Sequence, residues 1–242
     1  MRIGLLLYEG VDLLDAGGPY EVFLTASRLV ARDGGGPPFE VVTITGTGEP
    51  VTAYGGLGLV PQAGAEGAGH LDVLVLPGTV DVAAATADDE LASTIVRLVG
   101  SSDVTASVCT GAFLLADAGL LAGRPWTTHW EDVDLLADRL VARAPAAPGP
   151  QGAPEAHEAP GAPEPTTGAA GPAPPDGAVR GVRWVDAGRV VTAAGLSSGI
   201  AMALHLVDRF AGRDLAERTA RQIEYDWRPD GVHWLTPAPN AR

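Results

Sequence analysis

Val104-Thr105-Ala106-Ser107-Val108-Cys109-Thr110-Gly111-Ala112-Phe113-Leu114-Leu115 reads as a short apolar strand entering an apolar helix through a turn that holds the chain's single cysteine. A four-to-eight-residue apolar run rich in β-branched residues is a buried strand, and the longer run after Thr110-Gly111 is a helix. The same alternation extends outward. Ile3–Tyr8, Phe39–Thr45 and Asp72–Leu76 are further strand candidates. A helix opened by Pro19 and running through Glu21, Val22, Leu24 and Leu29, and a second over Asp89–Val99, lie between them. Further on, Val182–Thr192 reads as a strand, an Asp-Ala-Gly turn and a strand, followed by helices over Ser197–Phe210 and Leu215–Tyr225. Strands alternating with helices predict an α/β fold with a mostly parallel sheet covered on both faces. In such sheets ligands bind outside the carboxyl ends of the strands.

Between Ala144 and Ala178, 27 of 35 residues are Pro, Gly or Ala, and no branched aliphatic or aromatic side chain interrupts them before Ala178. Such a segment has nothing to bury against the entropy of ordering it, so residues 144–178 are expected to be a disordered loop. The expected organisation is one domain over 1–226, interrupted by that loop, with 227–242 as a C-terminal tail.

The 242 residues carry a net charge of −14, and all sixteen basic residues are Arg, scattered along the chain. That balance repels polyanions, so no nucleic-acid partner is expected. The apolar start Ile3–Leu7 stops at Glu9 and Asp12, and no apolar run reaches the roughly 18 residues of a membrane span, so neither a signal peptide nor a membrane partner is expected and the cytoplasm is the expected compartment. One cysteine makes no internal disulfide. His70 and His233 have no ligand-type neighbours at metal spacing, so no metal is expected, and no other cofactor.

A cysteine on a tight strand-to-helix turn projects above the sheet, with free N–H groups of the helix directed at its sulfur, which favours thiolate. Cys109 is therefore the expected nucleophile. Asp12 and Asp15 in the loop after the first strand, and Glu21 one turn into the helix, are candidate proton carriers, each of which has a capping or solvated reading as well. Backbone N–H groups of Gly78 and Thr79, with that of Thr110, are placed to hold developing negative charge. His129, within Thr127-Thr128-His129-Trp130, reads equally as a base toward Cys109 or as a structural imidazole. His205, set among Leu204, Leu206 and Val207, reads as a core residue.

Leu14-Asp15-Ala16-Gly17-Gly18-Pro19-Tyr20-Glu21-Val22, Leu76-Pro77-Gly78, Ser107-Val108-Cys109-Thr110-Gly111, Ala118-Gly119-Leu120-Leu121, Thr127-Thr128-His129-Trp130 and Ser198-Gly199-Ile200, in that order, resemble the ThiJ/PfpI superfamily of class I glutamine amidotransferase-like proteins. Within it the chain is most similar to the isonitrile hydratases and to the N-terminal domain of certain AraC-type regulators. The resemblance implies a flavodoxin-like three-layer sandwich with a cysteine nucleophile elbow, a homodimer, and a small-molecule substrate. It implies Cys109, Thr110 and Asp15 as catalytic residues of a lyase that hydrates an isonitrile to an N-substituted formamide. Glyoxalase, deglycase or amidase chemistry, or a ligand-sensing domain without its DNA-binding part, are the alternatives. The chain departs from the family pattern at Thr79, where a second Gly is common, and at Ala201, where an Asp is common.

Overall fold

The structure, a computed structural model, describes residues 1–143 and 177–230. In chain order the elements are β1 (Arg2–Leu6), α1 (Leu13–Arg32), β2 (Glu40–Thr45), β3 (Val51–Thr52), β4 (Gly58–Leu59), β5 (Ala63–Gly64), β6 (Leu71–Leu76), α2 (Val82–Thr86), α3 (Asp89–Gly100), β7 (Ser102–Val108), α4 (Gly111–Asp117), α5 (Val133–Arg143), β8 (Trp184–Asp186), β9 (Val190–Ala193), α6 (Ser198–Ala211) and α7 (Arg213–Gln222). Seven strands form one sheet in the order β5-β2-β1-β6-β7-β9-β8. Every pairing in it is parallel except β8 with β9. The strands β3 and β4 form a separate antiparallel pair.

Central strands of a parallel sheet are buried on both faces, which explains why β6 is a continuous apolar run and not an alternating one: Val73, Leu74, Val75 and Leu76 are all fully buried. The helices α1, α6 and α7 pack on one another, and α2, α3 and α4 form a second group. This is the mostly parallel, flavodoxin-like sandwich expected from the strand and helix pattern. Chain order reverses at β1, whose neighbours are β2 on one side and β6 on the other. The crevice beyond the ends of β1 and β6 is thus a topological switch point, where such sheets bind ligands.

Two boundaries differ from the sequence expectation. The first helix opens at Leu13, six residues before Pro19, because the Asp12 carboxylate caps it by accepting the N–H of Leu14 at 2.9 Å. Pro19 therefore lies inside α1, and Asp15 sits in its first turn. The loop expected over 144–178 falls outside the described residues except at its end. There the carbonyl of Gly177 accepts the Trp126 N–H at 2.8 Å and Ala178 is buried in a bridge with Trp126. Trp227, the first residue of the expected tail, donates its indole N–H to the Ala201 carbonyl at 3.2 Å, and the Arg213 guanidinium lies over its ring. Residues 231–242 lie outside the described residues.

Candidate active site

Cys109 follows β7 directly and has a φ of +56°, the left-handed region that non-glycine residues adopt at a cost of roughly 1–2 kcal/mol. Its surroundings hold it there. The Cys109 N–H donates to the carbonyls of Ala193 and Ala194, both at 3.1 Å, and its carbonyl accepts the Thr128 hydroxyl at 2.8 Å. Two residues on, a Cβ at Gly111 would stand 2.3 Å from the Leu76 carbonyl, so α4 starts against the backbone of β6 only because Gly111 has no side chain. This is a strand-turn-helix elbow, the geometry that in other folds presents a nucleophile.

Asp15 comes to the same place from α1. Its side chain is fully buried, its Oδ2 accepts the Gly78 N–H at 3.1 Å, and its Oδ1 has no partner among the described residues. Burial, with the Asp12 charge adding, raises its pKa to about 7, opposed by the Gly78 N–H bond and more weakly by the nearby Cys109 thiol and Leu196 N–H. The Cys109 thiol is pushed up to about 12, first by burial and then by the Asp15 charge, although the N–H groups of Thr110 and Leu196 favour the thiolate. The depressed thiol expected from the helix N-terminus is therefore not what the surroundings give. The helix α4 spans seven residues, and desolvation with a neighbouring carboxylate outweighs its few N–H groups. Burial and mutual charge thus push both Asp15 and Cys109 toward their protonated forms, and the two titrate as a coupled pair.

Leu196 escaped the sequence reading. It has a φ of +45° just after Gly195, and its N–H favours the charged forms of both Asp15 and Cys109. The only signal for it was its place beyond the end of β9. Tyr8 and Thr128 were also missed: the buried Tyr8 hydroxyl donates to the Pro77 carbonyl at 2.9 Å and steadies the turn that carries Gly78.

The Thr110 hydroxyl accepts the Thr79 N–H at 2.8 Å and donates to the Thr79 carbonyl at 2.7 Å, while the Thr79 hydroxyl donates to the Gly10 carbonyl at 2.7 Å. The three loops after β1, β6 and β7 are thus tied together. These bonds change the reading of the expected oxyanion pocket. The Gly78 N–H is donated to Asp15 and the Thr79 N–H to Thr110, so neither faces an empty pocket. A Cβ at Gly78 would come within 2.5 Å of the Thr110 Oγ1 and 2.7 Å of the Asp15 Oδ2.

The other candidates lie further out. The His129 ring covers Gly195, whose Cβ would meet it at 2.4 Å, and its Nδ1 faces Asp132 at 3.4 Å. It buttresses the turn that presents Leu196. Glu21 is exposed on α1, where its carboxylate accepts the Thr25 hydroxyl at 3.4 Å. His205 is buried, bonded to Asp186 at 2.8 Å and stacked on Trp184, a core arrangement. Ala201, at the second departure from the family pattern, is fully buried in α6. A cavity of about 330 Å³ adjoins the site and shares Tyr8 and Thr79 with it.

Comparison with known proteins bears on the family and the fold. The model of the DJ-1/PfpI family matches residues 1–209. The chain is 30% identical to an isonitrile hydratase from Pseudomonas putida over 225 residues, 93% of this chain and 78% of that one. It is 29% identical over 129 residues to the HTH-type transcriptional regulator GbdR of Pseudomonas aeruginosa, covering 53% of this chain and 34% of the regulator. Among solved structures, a ThiJ/PfpI family protein from Pseudomonas syringae superposes with a TM-score of 0.68 at 26% identity, covering 94% of this chain and 76% of that one.

Proposed function

The chain belongs to the DJ-1/PfpI family, and from that premise we propose that it is a cysteine-dependent hydratase that adds water to an isonitrile to give an N-substituted formamide. One observation carries this reading over carbonyl chemistry. A thiol attacking a carbonyl carbon places negative charge on a separate oxygen, which needs free donors. Here the Gly78 and Thr79 N–H groups are already committed to Asp15 and Thr110. An isonitrile takes both the nucleophile and the proton on one terminal carbon. The neighbouring Asp15 and Cys109, one a carboxyl with its pKa raised to about 7 and the other a thiol, would supply both from one place.

In this reaction Asp15 accepts the Cys109 proton as the sulfur bonds to the terminal carbon, then returns that proton to the same carbon, giving a thioimidate, R–N=CH–S–Cys109. Water adds to the thioimidate carbon while Asp15 takes one of its protons and passes it to nitrogen. The C–S bond then breaks, the hydroxyl proton goes to sulfur, and R–NH–CHO leaves. The sum is isonitrile plus water. Thr110 and Leu196 support the sulfur through their N–H groups during the transfer, and the Thr110 hydroxyl locks the loops that position it.

We place the enzyme in the cytoplasm, where a free thiol stays reduced, and infer a homodimer from the exposed Leu13, Leu14, Val80 and Leu196 that flank Asp15, Thr79 and the elbow. A small molecule, and neither nucleic acid nor membrane, is the expected partner. No helix among the described residues is long and apolar enough to cross a membrane.

A ligand-sensing domain is the second reading, supported by the likeness to GbdR and by a thiol raised to about 12. Incubation with a panel of isonitriles, methylglyoxal and small amides, followed for formamide, lactate and ammonia, separates these cases. Formamide alone supports the proposal. Lactate or ammonia replaces it with another enzyme, and saturable binding without product supports the sensor.

A further inference from the structure

At the opposite end of the central strands, β6 and β7 bring together three side chains that sequence spacing kept apart. The parallel register pairs Leu71 with Ser102 and Val73 with Val104, so Asp72 and Asp103 stand side by side on adjoining strands. His70 precedes Asp72 by two residues, the interval that returns to one face of an extended chain. One ligand atom from each of His70, Asp72 and Asp103 lies within 4.8 Å of the others, and the His70 Nε2 is 3.2 Å from the Asp103 Oδ2. We propose that His70, Asp72 and Asp103 form a binding site for a divalent transition-metal ion of the zinc class, independent of Cys109.

The spacing matches the chemistry. With metal–ligand bonds of about 2.0–2.1 Å, neighbouring donors of a tetrahedral ion are about 3.3 Å apart, close to the His70–Asp103 separation. Small rotations of two exposed side chains bring the third donor in. Asp72 is oriented for this by the Arg2 backbone N–H, which donates to its Oδ2 at 2.5 Å and leaves Oδ1 open. Two carboxylates on neighbouring strands repel each other, and a cation between them relieves the repulsion. The nearby guanidinium groups are turned to other acceptors: Arg189 to the carbonyls of Ser102 and Asp103, Arg2 to the Glu40 carboxylate. An imidazole with two carboxylates selects zinc, cobalt, nickel or copper over calcium or magnesium. Exposure leaves at least one position for water.

The expectation of no metal rested on linear spacing, and Asp103 is 33 residues from His70. An ion here clasps the starts of β6 and β7, whereas Cys109 follows the end of β7, roughly 20 Å away at about 3.3 Å per residue. Its effect is therefore on stability and not on the thiol.

The test uses the full, tag-free chain stripped with a chelator and titrated with Zn2+ by calorimetry. Co2+ spectra, which separate thiolate from imidazole and carboxylate ligation, are recorded in parallel. One ion per chain is expected with a Kd of roughly 1–100 µM, raising the melting temperature by a few degrees. The site is expected to persist in Cys109→Ser with no sulfur charge-transfer band, and to weaken at least tenfold in His70→Ala and in Asp103→Asn, both exposed positions that leave the core intact. Binding that survives His70→Ala, binding lost in Cys109→Ser, or no binding below about 1 mM overturns the proposal.

Discussion

The buried Asp15 carboxylate acts electrostatically on the Cys109 thiol, and its charge, after burial, is one cause of the thiol's pKa of about 12. The two effects of Asp15 thus oppose each other: it suppresses the free thiolate and yet, in the proposed reaction, is the base that generates one during attack.

Asp15→Asn separates these effects. Removing the charge lowers the thiol pKa, so iodoacetamide should label Cys109 faster in the variant at pH 7.5, read by mass spectrometry. Isonitrile turnover should fall by roughly a hundredfold or more, because Asn carries no proton between thiol and carbon. Asp12→Asn keeps the cap, since Asn caps about as well as Asp, and should leave turnover near the wild-type level. Slower labelling together with unchanged turnover in Asp15→Asn would remove Asp15 from the chemistry.

Stability carries the same signature. A carboxyl whose folded pKa is raised from 3.8 to about 7 contributes fully when protonated, below pH 4, and that contribution is lost as pH rises through 7. Asp15→Asn should therefore match the wild type near pH 4 and exceed it at pH 8, by on the order of 4 kcal/mol at most. Denaturant unfolding at the two pH values checks this. An equal difference at both would mean that Asp15 does not titrate in that window.

Gly78→Ala tests the junction of the three loops. The added Cβ would press on the Thr110 Oγ1 and N and on the Asp15 Oδ2, all inside 3 Å. The cost should be about 1–3 kcal/mol of stability. A displacement of Asp15 near 1 Å should lower turnover by about a hundredfold. A fully active, fully stable variant would show that the loops yield without consequence.

The elbow was legible because its signal is local: an apolar run, a cysteine and a glycine that admits the close approach of α4 to β6. Asp15 was legible as a candidate, but its place was not. Proline at position 19 was read as a helix start, whereas Asp12 caps the helix earlier and turns Asp15 inward. The sign of the Cys109 shift was hidden because it depends on burial by distant elements, and sequence shows only the helix that follows. Leu196 and the His70–Asp72–Asp103 group depend on backbone conformation and strand register, which no spacing along the chain reveals.

The central claim is that Cys109 adds to the terminal carbon of an isonitrile. The most direct measurement is formamide formation from one isonitrile by the wild type and by Cys109→Ala at equal concentration, followed by NMR in heavy water. Wild type should yield formamide with deuterium on the formyl carbon, and Cys109→Ala should yield none above the uncatalysed background. Formamide from both proteins at similar rates, or from neither across the isonitrile panel, would contradict it.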